Sequence, residues 1–227
     1  MKKIITLIVV IISTMIVWGL DPVYHTNEEI IAELDSLEQI HSDIMMVRYM
    51  GDTATDNQPV YAVKISDNVE IDEDEPAVLF LGQCHAEEVM GVEISMKLIN
   101  DILLYRNMNP YNVWINNIEI WIWPTHNPEG LQVVTDEWDT SYRKNKTDTN
   151  NNGVFDYIPG VGQDLDGVDL NRNYDFNWVH SDTLWAPGGD QLYDYYRGAT
   201  PFSEPEAQYV KQLADEQHFI YSIAWHS

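Results

Sequence analysis

The stretch "PAVLFLGQCHAEEVMGVEISMKLINDILLY", residues 76–105, decides the fold class. Its first eight residues form a near-continuous apolar run, the pattern of a strand buried on both faces of a sheet. From Ala86 onward the apolar residues recur at helical spacing, behind Glu87 and Glu88, whose charges suit the positive end of a helix dipole. A buried strand feeding directly into a helix is the building unit of an α/β protein. Between the two stands His85, three residues ahead of Glu88. A histidine and a glutamate at that spacing are common by chance, so the rest of the chain must say whether they hold a metal.

Working outward, residues 26–42 place Ile30, Ile31, Leu34, Leu37 and Ile40 on one helical face behind a Thr26 or Asn27 cap. "IMMVRYMG" (44–51) and "PVYAVKIS" (59–66) read as strands around the polar turn "DTATDNQ". "VWINNIEIWIWPTHNPEG" (113–130) reads as another strand that closes on a Pro/Asn/Gly turn. A long polar, irregular section covers residues 134–200. After it, 203–218 is helical and "FIYSIAWHS" (219–227) is a strand. Strands and helices alternate without repeats or a linker, which predicts an α/β/α sandwich around a mixed central sheet. In open sheets of this kind sites lie beyond the carboxyl ends of strands. His85 and His226 both fall there.

The 227 residues, 44% apolar and 11% aromatic, suffice for one substantial core. Residues 1–19 pair Lys2 and Lys3 with a short apolar run, the pattern of a secretory signal with cleavage after Gly19; an uncleaved anchor is the alternative. The expected mature domain is 20–227, exported and without stable membrane association. Loss of Lys2 and Lys3 leaves 10 basic against 37 acidic residues, a net charge of −27. Such a surface repels phosphate backbones, which excludes nucleic acid as a partner, and it favours divalent cations or basic substrates. The single Cys84 allows no internal disulfide and reads as a small core residue.

A catalytic zinc takes three ligands from His, Glu or Asp and keeps one position open. His85 and Glu88 can converge, and His226 after the last strand is the natural third. His25, His41 and His218 lie in or beside amphipathic helical segments. His126 follows a strand and is a weaker contender, and His180 lies in the irregular section.

The motifs "HAEE", "NPEG", "SYRKN", "GVDLNRNY", "FSEPEA" and "AWHS" occur in the order and rough spacing of the zinc carboxypeptidases related to pancreatic carboxypeptidases A and B. The chain resembles that family from about Tyr24 to Ser227. Each motif alone would pass for a surface salt bridge or a turn; six in order do not arise by chance. The resemblance implies an α/β/α fold, one zinc on His85, Glu88 and His226, and removal of a C-terminal residue from a peptide or protein with a free C-terminus. It matches Asn171 and Arg172 to the pair that grips the terminal carboxylate, and a planar guanidinium suits that task. It matches Arg143 to the oxyanion-stabilising arginine and Asp169 to the carboxylate that orients a zinc-bound histidine.

Two features depart from that pattern. "DTNNNGVFD" (148–156) sets Asp148, Asn150, Asn152 and Asp156 around Gly153 like the opening of a calcium loop. An EF-hand would have Glu where Pro159 stands, so Asp164 or Asp166 would have to substitute. Calcium binding and a plain polar insertion are both open. In the family, the catalytic glutamate, a substrate-binding tyrosine and most of the specificity pocket follow the third zinc ligand. Neither Glu204 nor Glu206 matches that glutamate, and "FSEPE" reads as a helix start. The expectation is therefore a domain lacking its C-terminal part and its general base. Alternatives are cleavage of peptidoglycan stem peptides by the same fold, a related zinc deacylase, or a catalytically dead, calcium-stabilised binding module.

Overall fold

The computed structural model describes residues 24–178 and 191–227. His180 and the expected signal lie outside them. The described chain folds as α1 (Asn27–His41), β1 (Met45–Asp52), β2 (Pro59–Ile65), β3 (Ala77–Gln83), α2 (Met90–Leu104), α3 (Tyr111–Ile115), β4 (Glu119–Thr125), α4 (Pro128–Thr135), α5 (Pro205–Gln217) and β5 (Tyr221–Ala224). The sheet order is β1-β2-β4-β3-β5. β1, β2 and β4 pair antiparallel, whereas β3 is parallel to both β4 and β5.

All seven residues of β4 are buried, because the sheet is covered on both faces. Ile120 and Ile122 point with Val63 and Ile65 into a core shared with Ile30 and Leu34 of α1, Met96 and Ile99 of α2, and Val133 of α4. Trp121 and Trp123 point the other way, with Ala62 and Leu79, onto Val210 and Leu213 of α5. The alternation along one strand thus feeds two cores, and the α/β/α sandwich expected from the sequence is the architecture found. Thr26 caps α1 through a reciprocal pair with Glu29, 3.2 and 2.9 Å long.

Three local expectations are corrected. The helix expected from Ala86 begins at Met90. Before it, Glu88 N closes a turn on the His85 carbonyl (3.1 Å), while Ala86 N donates to the Arg143 carbonyl (2.9 Å). Gly91 lets this turn press on β3, since a Cβ there would stand 3.0 Å from Gln83 N. Residues 113–115, read as strand, belong to the short α3, where Tyr111 packs on Tyr105 and Trp114. "NPEG" is the start of α4 and not merely a turn: Asn127 Oδ1 accepts from Gly130 N (3.0 Å), and Pro128 fills the first helical turn.

Candidate metal centre

β4, β3 and β5 run parallel to one another, so their carboxyl ends share one edge of the sheet, and β3 lies between the other two. His85 stands two residues beyond β3 and His226 two beyond β5. The turn at 85–88 swings Glu88 back beneath His85. Glu88 Oε2 lies 2.9 Å from His85 Nδ1 and 2.8 Å from His226 Nδ1, and the two histidine Nδ1 atoms are 3.3 Å apart. Tetrahedral zinc with bonds of about 2.0–2.1 Å needs neighbouring donors roughly 3.3 Å apart, close to the spacing seen here. Two imidazole nitrogens and one carboxylate oxygen also form a donor set suited to zinc. His85 and Glu88 are buried, and His226 is 37% exposed in its side chain, which leaves one side of the group open.

Asp169 is fully buried behind His85. Its Oδ1 lies 3.2 Å from His85 Nε2, and its Oδ2 accepts from Arg143 Nε at 3.0 Å. With the imidazole proton on Nε2 and given to Asp169, the Nδ1 lone pair is left for a metal. Burial opposes charge on His85, but Asp169 and Glu88 outweigh it and raise its pKa. Burial likewise opposes ionisation of Glu88 and Asp169. Glu88 is nevertheless held below the usual carboxylate range by His85 and His226, and Asp169 by His85 with Arg143.

Arg143 follows the turn that carries the buried Tyr142 and reaches Glu87 Oε1 with Nη1 at 3.3 Å. Its Nη2 crowds His85 Nε2 at 2.7 Å, and both groups share the Asp169 carboxylate. Asp169 also caps the 3₁₀ turn Leu170–Arg172 by accepting from Asn171 N (2.9 Å), so one buried carboxylate ties the metal group to the "NRN" segment. Asn171 is exposed, and Arg172 Nη1 donates to the Asn171 carbonyl at 3.2 Å.

His126, the weaker ligand contender, is excluded from the group. Burial, reinforced by His85 and His226, pushes its pKa down to about 3, and its ring packs edge-on to Trp123. Cys84 is buried, as expected of a core residue. Glu204 is buried under Asn145 Nδ2 (2.8 Å) and Ser203 Oγ (2.7 Å) at the start of α5, outside the metal group. In 148–156, Asn150 and Asn152 donate to Asp156 Oδ2 (2.9 and 2.7 Å), while Asp148 accepts from Asn152 N and Gly153 N (3.2 and 2.7 Å). Asp166 folds back onto this loop, accepting from Asp156 N (2.8 Å) and Thr149 N (3.0 Å), whereas Asp164 accepts from Ile158 N beyond it (2.7 Å). Two residues beside Arg143 are not read as site residues from the sequence: Glu87, taken there for a helix-start acid, and Tyr195, whose ring centroid lies 4.6 Å from the guanidinium carbon. Only the doubled acid of "HAEE" hinted at the first, and nothing in "LYDYYRG" singled out the second.

A profile of the zinc carboxypeptidase family matches residues 30–227. A zinc carboxypeptidase of Saccharothrix mutabilis subsp. capreolus is 30% identical over 161 residues, covering 68% of this chain and 33% of that protein. Carboxypeptidase B of Astacus astacus is 26% identical over 188 residues, covering 83% and 55%. The crystal structure of a carboxypeptidase A from Helicoverpa armigera superposes with a TM-score of 0.73 at 24% identity, over 90% of this chain and 46% of that one. The chain therefore spans about a third of the length of the first curated relatives it matches. Reaching across nearly all the described residues, the profile match shows that the chain belongs to the zinc carboxypeptidase family.

Proposed function

We propose that the whole protein is a secreted zinc carboxypeptidase that removes the C-terminal residue of peptides with a free carboxylate. The convergence of His85 Nδ1, Glu88 Oε2 and His226 Nδ1 within 3.3 Å carries this proposal. These three residues would hold the zinc, which when bound supplies Lewis acidity toward a peptide carbonyl. Arg172 offers paired N–H donors to the terminal carboxylate, with Asn171 beside it. Arg143, kept cationic by Asp169 and Glu87, supplies fixed positive charge where the carbonyl oxygen becomes negative. Asp169 holds His85 in its ligating orientation. Glu204 is not the proton-accepting carboxylate, because it is spent on structural contacts with Asn145 and Ser203.

The test joins metal content to substrate choice. His85→Ala and Glu88→Ala should each lose zinc while staying folded; full occupancy in either would sink the assignment. Arg172→Ala in the whole protein should weaken acid-ended peptides about ten- to a hundredfold relative to their C-terminal amides. Equal losses on both would show that Arg172 does not read the carboxylate. Residues 20–227 alone should show no turnover, and turnover at the whole protein's rate would place the base inside this segment.

Two side proposals stand apart. Export with cleavage after Gly19 is tested by N-terminal sequencing of the secreted protein, which should begin at Leu20. Calcium in 148–156 is supported by the oxygen-rich turn around Asp148 and Asp156. It should raise Tm in the wild type and not in Asp148→Ala; an equal response in both removes the site.

A further inference from the structure

The Tyr195 ring lies close to both arginines of the site. Its ring centroid is 4.6 Å from the Arg143 guanidinium carbon and 5.3 Å from that of Arg172. Two guanidiniums this near one aromatic ring repel each other, and the negative face of a π-system attracts each of them. Their other anchors are unequal. Arg143 is held by Asp169 at 3.0 Å and Glu87 at 3.3 Å. Among the described residues no carboxylate pairs with Arg172, whose one hydrogen bond goes to the carbonyl of its neighbour Asn171. The Tyr195 ring is thus the side-chain surface that sets where the Arg172 fork stands. It is itself backed by Tyr193, with centroids 5.1 Å apart.

We propose that Tyr195 is a positioning residue that holds Arg172 in register with Arg143, so that one guanidinium meets the substrate's terminal carboxylate while the other meets the carbonyl to be cleaved. This rests on the carboxylate-binding role given to Arg172 above. An unpaired arginine on an open surface spreads over many rotamers, and ordering it on binding costs affinity. A ring face removes that cost without neutralising the charge, which a carboxylate partner would do. Apart from the one Nη1 bond to the Asn171 carbonyl, the arrangement leaves the Arg172 N–H donors for a ligand and holds both cations to one ring.

The experiment uses the whole, zinc-loaded protein and two probes, N-acetyl-phenylalanine and its amide. Wild type should prefer the acid. Tyr195→Leu should weaken the acid about three- to thirtyfold and leave the amide unchanged, whereas Tyr195→Phe, which keeps the ring face, should stay within about twofold of wild type. Unchanged acid affinity in Tyr195→Leu, or an equal loss in Tyr195→Phe, overturns the proposal. A wild type that binds acid and amide alike instead overturns the carboxylate reading, and this inference with it. A second measurement does not depend on the variants folding: the Arg172 Nε–H proton of wild type should be displaced upfield by the Tyr195 ring. An undisplaced resonance also overturns the proposal.

Discussion

Glu206 is buried at the start of α5, and among the described residues neither carboxylate oxygen has a hydrogen-bond donor. The neighbouring Asn145 amide is spent on Glu204 (2.8 Å) and Thr147 (3.1 Å). Burial, and then the charge of Glu204, push the Glu206 pKa up to about 8. A carboxyl raised from 4.5 favours the folded state in its protonated form. Its contribution is complete below pH 4.5 and is lost as pH rises through about 8. Glu206→Gln mimics the neutral group, so its Tm should fall less than that of wild type between pH 5 and pH 8.5. Parallel Tm–pH curves for the two proteins would show that Glu206 is not the group titrating. The same chemistry explains why this residue is no candidate base: it has no contact with the metal group, and its environment suppresses its charge. Asp169 is the opposite case. It is equally buried, but His85 and Arg143 hold it ionised.

At the level of elements, α4 joins fold to site. Asn127 caps the helix at Gly130 N and donates through Nδ2 to the carbonyls of Cys84 (2.9 Å) and Lys144 (3.2 Å). One amide therefore pins the chain just before His85 and just after Arg143. Asn127→Ala removes a cap and leaves two buried carbonyls short of a donor, which should cost about 1–3 kcal/mol and lower Tm by several degrees. Asn127→Asp keeps the capping oxygen and loses the donor, so its Tm should fall between the two. If Asp is as stable as Asn, the carbonyl contacts contribute nothing. The strand–helix junctions show why elements and their boundaries differ in legibility. The apolar runs of β3 and β4 announce themselves, but the 85–88 turn is set by hydrogen bonds to Arg143 and by the fit of Gly91 against β3, partners distant in sequence or visible only in space.

Across the whole molecule, β5 is the outer strand of the described sheet and pairs only with β3. Ile220, just before it, and Tyr221 on it are 70% and 59% exposed, and Trp225, just after it, stacks on Phe80 with centroids 5.6 Å apart. Beside it, Val78, Phe80, Leu98, Ile102, Trp114 and Ile118 line an apolar hollow. An apolar strand with an unpaired edge is a template for association. Residues 20–227 produced alone should self-associate as concentration rises, and Tyr221→Lys should reduce this in light scattering. A wild-type segment that stays monomeric at high concentration would count against an exposed edge.

Sequence alone determined the α/β class, because apolar runs of period near one and helical spacing of period 3.6 are properties of the chain itself. It also pointed, through the resemblance carried by its ordered motifs, to His85, Glu88 and His226 as candidate ligands, which the fold brings together. Tertiary structure alone decided that the candidate metal group shares one buried carboxylate with Arg143, and that the Tyr195 ring lies within 5.3 Å of both guanidinium carbons. Asp169 reaches His85 and Arg143 from 84 and 26 positions away, and no local pattern marks Tyr195 as the neighbour of the two arginines. A period along the chain reports which face a residue takes. Only the packing of strands β3, β4 and β5 side by side reports what that face meets.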